Sequence, residues 1–276
     1  MLMVLSPAKK LSFAPAPAGL ALTIPELTRD IAELAQVTRK LKRADLKRLM
    51  SISDALADLN YHRFQRFDPA GEDGLQAVMA FAGDVYDGLQ ARTLDKKALA
   101  WAQVRLRILS GLYGVLKPLD ALQPYRLEMG TRLKTRRGSS LYDFWRTPIA
   151  EALSRDAERR PDPTLVNLAS IEYFGSVDTE ALRVPYVTCH FKEHRVRGEA
   201  PQALMLFAKR ARGLMARYAI DHRIERAEQL KAFDTAGYAF DPALSTGNDW
   251  VFTRQLPPKA SSANEPAARD SRAGAG

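Results

Sequence analysis

The sequence predicts a mixed α/β protein: one domain over about residues 1–256, built as a mixed sheet surrounded by helices, and a disordered tail at 257–276. Three observations point there. The chain opens on a short apolar run, MLMVL, that stops at Ser6-Pro7. Between Ile24 and Leu112 apolar residues recur mostly at helical spacing. From Thr164 onward, short β-branched or apolar runs bounded by Pro and Ser appear around one long helical pattern. Strands and helices alternate irregularly, which does not compel a doubly wound sheet.

MLMVL reads as a buried strand, ended by Pro7, which disfavours a helical residue before it. The loop that follows presents Lys9 and Lys10. APAPAG is a turn-rich connector. Leu27, Ile31, Leu34 and Val37 then mark a helix, with Pro25 suited to its first turn. ADLKRLMSISDALADLNYHRFQRF holds two more helices separated near Ser51, with Ser53 or Asp54 as N-cap. DGLQAVMAFAGDVYDGL and DKKALAWAQVRLRILSGL continue the helical pattern. TLVNLAS and VPYVTCHF read as strands, APQALMLFAKRARGLMARYAIDHRI as a long helix, and AFDTAGYAF and DWVFTRQL as closing strands. The tail from Pro257 is small, polar and proline-containing, too poor in apolar residues to order itself.

Of 276 residues, 46% are hydrophobic and 26% charged, ordinary globular chemistry. The one cysteine, Cys189, cannot close an internal disulfide. No stretch approaches the roughly 20 apolar residues of a membrane span, and the opening is too short for a signal peptide. A cytoplasmic protein is expected. The net charge is +9, and its distribution is uneven. Residues 101–160 hold 12 Lys and Arg against 6 Asp and Glu, whereas residues 1–100 hold 14 against 12. Between Gln103 and Gly138 the cations are Arg105, Arg107, Lys117, Arg126, Arg132, Lys134, Arg136 and Arg137, with only Asp120 and Glu128 opposing them. Such a local excess attracts polyanions through counterion release.

Within that segment SGLYGVLKPL places Gly111 and Gly114 three apart. Glycines there permit positive φ and leave backbone amides unobstructed. Pro118 can open a second short helix. This is the recipe of a helix–hairpin–helix, which grips phosphate without reading bases. The match is imperfect, because Leu112 and Tyr113 both intervene; the plainer alternative is a glycine C-cap joining two core helices. A second basic stretch, AKRARGLMARYAIDHR, sets Lys209, Arg210, Arg212, Arg217 and Arg223 mostly off the apolar stripe of its helix, where they are either solvated or part of the same patch.

His190 to His194 spells H-x-x-E-H, a zinc-protease pattern that requires a helix. It follows a strand pattern and lacks a third ligand, so no metal is expected. Ser6-Pro7-Ala8-Lys9 sets Lys9 at the edge of the first strand. A desolvated lysine there can act as a nucleophile on an abasic sugar; a phosphate-contacting or solvated lysine is the simpler alternative. Asp84, Tyr86 and Asp87 are polar site residues or helix-to-turn caps. Without a Walker lysine, a GxGxxG or paired cysteines, the sequence calls for no cofactor.

Over about 1–256 the sequence resembles the bacterial YaaA family of peroxide stress proteins. The likeness is carried by LSPAKKL, FAGDVYDGL, LRILSGLYGVLKPLDALQPYRLEMGTRL, LYDFW, VNLASIEYF, FAKRARGLMARY, GYAF and DWVFTR. Ala82 departs from the family pattern, which has a lysine there. The resemblance implies a peroxide-response protein that limits reactive iron, and so Fenton damage to DNA. It also implies binding of double-stranded DNA through a helix–hairpin–helix and a positively charged groove, on an unusual α/β fold. The hairpin then falls on Gly111 to Gly114 with Leu112, Tyr113 and the flanking cations. Bent or damaged duplex is a candidate target. The alternative is an enzyme acting on nucleic-acid bases or abasic sugars, with Lys9 as its catalytic nucleophile.

Overall fold

The computed structural model describes residues 1–17, 19–71, 73–196 and 198–256; the tail expected at 257–276 lies outside the described residues. Strands β1 (Leu2–Leu5) and β2 (Lys10–Leu11) precede three helices, α1 (Thr28–Arg39), α2 (Arg43–Met50) and α3 (Asp54–Arg66). Short elements follow: β3 (Leu75–Gln76), α4 (Ala77–Ala80), β4 (Phe81–Ala82) and α5 (Asp84–Leu89). Next come α6 (Lys96–Arg105), β5 (Leu106–Ser110), β6 (Gly114–Leu116), β7 (Ala121–Leu122) and α7 (Leu141–Glu158). The chain continues through β8 (Leu165–Leu168), α8 (Ile171–Phe174), β9 (Tyr186–His194), α9 (Met205–Asp221), β10 (Ala239–Phe240) and β11 (Asp249–Gln255).

Seven strands form one sheet in the order β10-β11-β9-β8-β1-β5-β6. The five inner strands are parallel, and the edge strands β6 and β10 are antiparallel to their neighbours. The sheet is therefore mixed, as expected, though its parallel core is more regular than the sequence order implies. Met1 to Leu5 are each 0% exposed. A strand covered on both faces reads as an unbroken apolar run, which is why MLMVL is legible as a strand. Each such side chain contributes about 1.5–3 kcal/mol on burial. Helices α7 and α9 both pack on β1, α7 also against β6 and α9 also against β8 and β9.

The central segment differs from expectation. The helix predicted to run through LRILSGL stops at Arg105, and Leu106 is already extended at φ −118°, ψ 140°. Five consecutive buried residues then form β5, which turns back on β6 with Ser110 opposite Gly114. Residues 106–116 are thus a strand, a turn and a strand, not the arms of a helix–hairpin–helix. Nor does Pro118 open a helix; a turn follows it and leads into β7. The turn is stitched from within: the Ser110 hydroxyl accepts from the Tyr113 amide (3.0 Å) and bonds the Tyr125 hydroxyl (2.6 Å).

Both glycines answer to packing. A Cβ on Gly111 would lie 2.2 Å from the Leu127 carbonyl oxygen. Gly114 has φ +69°, and a Cβ there would lie 2.6 Å from the Trp145 ring. The Trp145 indole meanwhile donates to the Gly111 carbonyl at 2.9 Å.

Candidate functional site

The chain leaves β1 toward its neighbour β5, whereas it leaves β8, on the other side of β1, toward β9. Adjacent parallel strands whose connections diverge leave a crevice beyond their carboxyl ends, the usual ligand position in open α/β sheets. A crevice of about 250 Å³ opens there. Ser6, Pro7, Ala8 and Lys9 line it from the end of β1, Ser170, Glu172 and Tyr173 from the end of β8, Ala82 to Val85 from the start of α5, and Lys209 and Arg212 from α9.

Backbone contact fixes this arrangement. Gly88 and Gly213 let α5 and α9 touch without side chains between them: a Cβ on Gly213 would lie 1.8 Å from the Val85 carbonyl oxygen, and one on Gly88 2.3 Å from that of Arg210. The contact sets Asp84 and the two α9 cations around one space. At the floor, the Ser170 amide donates to the Ser6 hydroxyl (2.8 Å) and the Tyr86 hydroxyl to the Ser6 carbonyl (3.1 Å). Burial pushes the Tyr86 and Tyr173 phenols well above the usual tyrosine range, so both stay neutral. Glu172 is held by the Gly130 amide (3.1 Å). Lys9 ion-pairs with Glu128 at 2.6 Å, and Arg126 reaches the same carboxylate at 3.0 Å.

Arg212, like Arg105 and Arg254, carries a buried Nε without a hydrogen-bond partner among the described residues. Burial pushes its guanidinium below the usual value. An unpartnered buried donor costs about 1–3 kcal/mol. Where it lines the crevice, a planar guanidinium can meet phosphate in a bidentate fork. Among the described residues neither Lys209 nor Arg212 forms an ion pair, and neither do Asp84 and Glu172. The crevice therefore offers cationic donors and carboxylate acceptors side by side.

The structure redistributes the residues singled out in the sequence. Gly111, Leu112, Tyr113 and Gly114 are all buried, so their amides do not face a backbone ligand. Arg107 is buried too, its guanidinium 2.6 Å from the Asp156 carboxylate. Arg105 pairs with Glu225 (2.8 Å), Lys117 with Glu26 (3.5 Å), and Arg137 with Asp30 (2.6 Å) and Glu33. Much of the charge excess between 103 and 138 is thus neutralised by acids from elsewhere in the chain. Arg132, Lys134 and Arg136 remain exposed and form no ion pair among the described residues, on the segment that follows Gly130, whose amide holds Glu172. Arg210 lines a neighbouring groove of about 650 Å³ that shares Ala82 with the crevice.

His190 and His194 lie on β9, four strand residues or roughly 13 Å apart. They bond Asp249 (2.7 Å) and the Glu199 carbonyl (2.9 Å) respectively. Among the described residues no three His, Cys, Asp or Glu side chains group as a metal would need, and no helix is long and apolar enough to cross a membrane. Ser170, Glu172, Tyr173 and Glu128 escaped the reading of individual residues. The signal was present for Ser170: LVNL-A-S repeats the pattern of LMVL-S at β1, an apolar strand running into a small polar residue.

The fold and site define an α/β protein with a polar, cation-bearing crevice at the switch point of a parallel-cored sheet. A family model described as peroxide stress protein YaaA matches residues 1–244, and the chain belongs to that family. A UPF0246 protein of Caulobacter vibrioides is 65% identical over 257 residues, covering 93% of this chain and 100% of its own length. UPF0246 proteins of Phenylobacterium zucineum and Roseobacter denitrificans are 61% and 49% identical, each covering 99% of its own length and 96% and 93% of this chain. The family description supports a role in peroxide stress.

Proposed function

We propose that this protein acts in peroxide stress by holding the backbone of double-stranded DNA across the crevice, largely without sequence preference. Lys209 and Arg212 inside it supply the phosphate contacts, joined by Arg210 in the adjoining groove and by the exposed Arg132, Lys134 and Arg136 of the segment after Gly130. The observation that carries the reading is the pair of cations, Lys209 and Arg212, lining one crevice without an ion-pair partner among the described residues. Side chains, not a glycine hairpin, make the grip. Binding of this kind ties the family's peroxide role to DNA: a covered duplex is screened from radicals that iron and peroxide generate beside it, which limits oxidative damage. The test is a titration of unrelated duplexes at several salt concentrations. Affinity that falls steeply with salt and varies little with sequence supports the reading; salt-independent binding, or one strongly preferred sequence, refutes it.

One observation favours a second reading, an enzyme acting on abasic sugars. Lys9 lies on the crevice wall, its amine 2.6 Å from the Glu128 carboxylate. The free amine would add to the C1′ aldehyde and lose water, giving an imine that borohydride reduces to a stable adduct. Adduct formation on abasic duplex by the native protein, lost in Lys9→Ala, would establish it. Failure to form adduct on abasic DNA would remove it.

A further inference from the structure

We propose that the crevice receives a single nucleotide turned out of the duplex, and that Ile171 fills the gap it leaves in the base stack; the inference rests on the DNA-binding reading above. Ile171 is 92% exposed and stands between Ser170 and Glu172, both on the crevice wall. Met205, 75% exposed, precedes Lys209 by four residues and Arg212 by seven on α9, and so shares their face. Two large exposed apolar side chains thus lie next in the chain to, or one helical turn from, residues that line a cation-bearing cleft. Gripping a backbone requires neither, whereas aliphatic wedges are what proteins push between base steps when they unstack them.

The crevice itself points the same way. Lys209 and Arg212 suit a phosphate. Asp84 and Glu172 would repel one, but their oxygens accept hydrogen bonds from the amino and imino groups of a base edge. Together the two sets fit a nucleotide and not a bare phosphate. The volume, about 250 Å³, falls below the roughly 300–1,000 Å³ of drug-sized sites. It admits one base, not a pair. Turning a base out costs a few kcal/mol, least where pairing is already damaged. Mismatched or oxidised duplexes should therefore bind more tightly than intact ones.

The probe is 2-aminopurine placed at a mismatch in a short duplex, with anisotropy reporting binding and fluorescence reporting unstacking. A severalfold rise in fluorescence at saturation is expected, with mismatched duplex preferred over matched by at least about tenfold, or about 1.4 kcal/mol. Ile171→Ala should lose most of the rise and most of the preference, while Ile171→Leu keeps both. Because Ile171 is exposed, thermal melts of both variants should match the native protein. Saturated binding without a rise overturns this inference and leaves the backbone grip standing. A rise that survives Ile171→Ala also overturns it. No binding to any duplex removes both readings.

Discussion

Placing a methyl group on Gly111 tests whether the turn after β5 is a packed corner or a ligand-binding hairpin. The added Cβ would lie 2.2 Å from the Leu127 carbonyl oxygen and 3.0 Å from its carbonyl carbon, where ordinary contact begins at 3.4 Å. More than 1 Å of movement must be absorbed between two buried backbone segments. Overpacking of this kind costs typically 1–3 kcal/mol. The shift also disturbs the 2.9 Å bond from Trp145 to the Gly111 carbonyl, worth about 1 kcal/mol. Gly111→Ala should therefore lose roughly 2–4 kcal/mol, a fall in Tm of about 5–15 °C for a chain of this size. Circular dichroism melts read the stability, and anisotropy titrations well below the new Tm read DNA affinity. The expected result is lost stability with near-native affinity in the folded protein. A native Tm with affinity lost at least about tenfold would mean that the glycine faces phosphate after all, and would refute the packing account of the turn.

Other perturbations separate structure from function in the same way. Arg107→Met strands the buried Asp156 carboxylate and should cost about 3–5 kcal/mol without changing the salt dependence of DNA binding, while adding Asp156→Leu recovers most of the loss; both are read by denaturant melts and titrations. Ser140 caps α7, accepting from the Asp143 amide at 3.2 Å, so Ser140→Ala should cost about 1 kcal/mol in a denaturant melt. Hydrogen bonds from Ser140 and then Ser139 hold the Asp143 carboxyl below its usual range. A depressed folded pKa gives stability that is fully present above the ordinary carboxylate value of 3.8 and is lost as pH falls through the lower folded value. Asp143→Asn should accordingly flatten the acid limb of a Tm-versus-pH series, and an unchanged limb would contradict that linkage.

How much of this the sequence disclosed depends on whether the information was local. MLMVL, VPYVTCHF and the α9 stripe were legible because burial on one or both faces writes a run, an alternation or a 3.6-residue period. LRILS was misread as helix because it follows α6 without a breaker, and an all-buried strand has no alternation to betray it. Arg107 looked like a surface cation because Asp156, which neutralises it, lies 49 residues away. The same distance effect hid Glu128 behind Lys9 and Glu26 behind Lys117. Two crevice walls were visible separately, Ser6 to Lys9 and the Lys209–Arg212 helix. Their meeting depends on the close approach of Gly88 and Gly213, which no local pattern records.

The most direct test of the crevice as the DNA site is the salt dependence of binding by a Lys209→Ala, Arg212→Met double variant beside the native protein. Arg43→Ala, far from the crevice lining in sequence and paired with Asp58, serves as control, and melts of all three proteins exclude unfolding as a cause. Two lost phosphate contacts should shallow the slope of log affinity against log salt by about two. Affinity at low salt should fall at least about tenfold, while the control keeps native slope and affinity. A folded double variant that binds with native slope and affinity would contradict the assignment and place the phosphate contacts elsewhere on the protein.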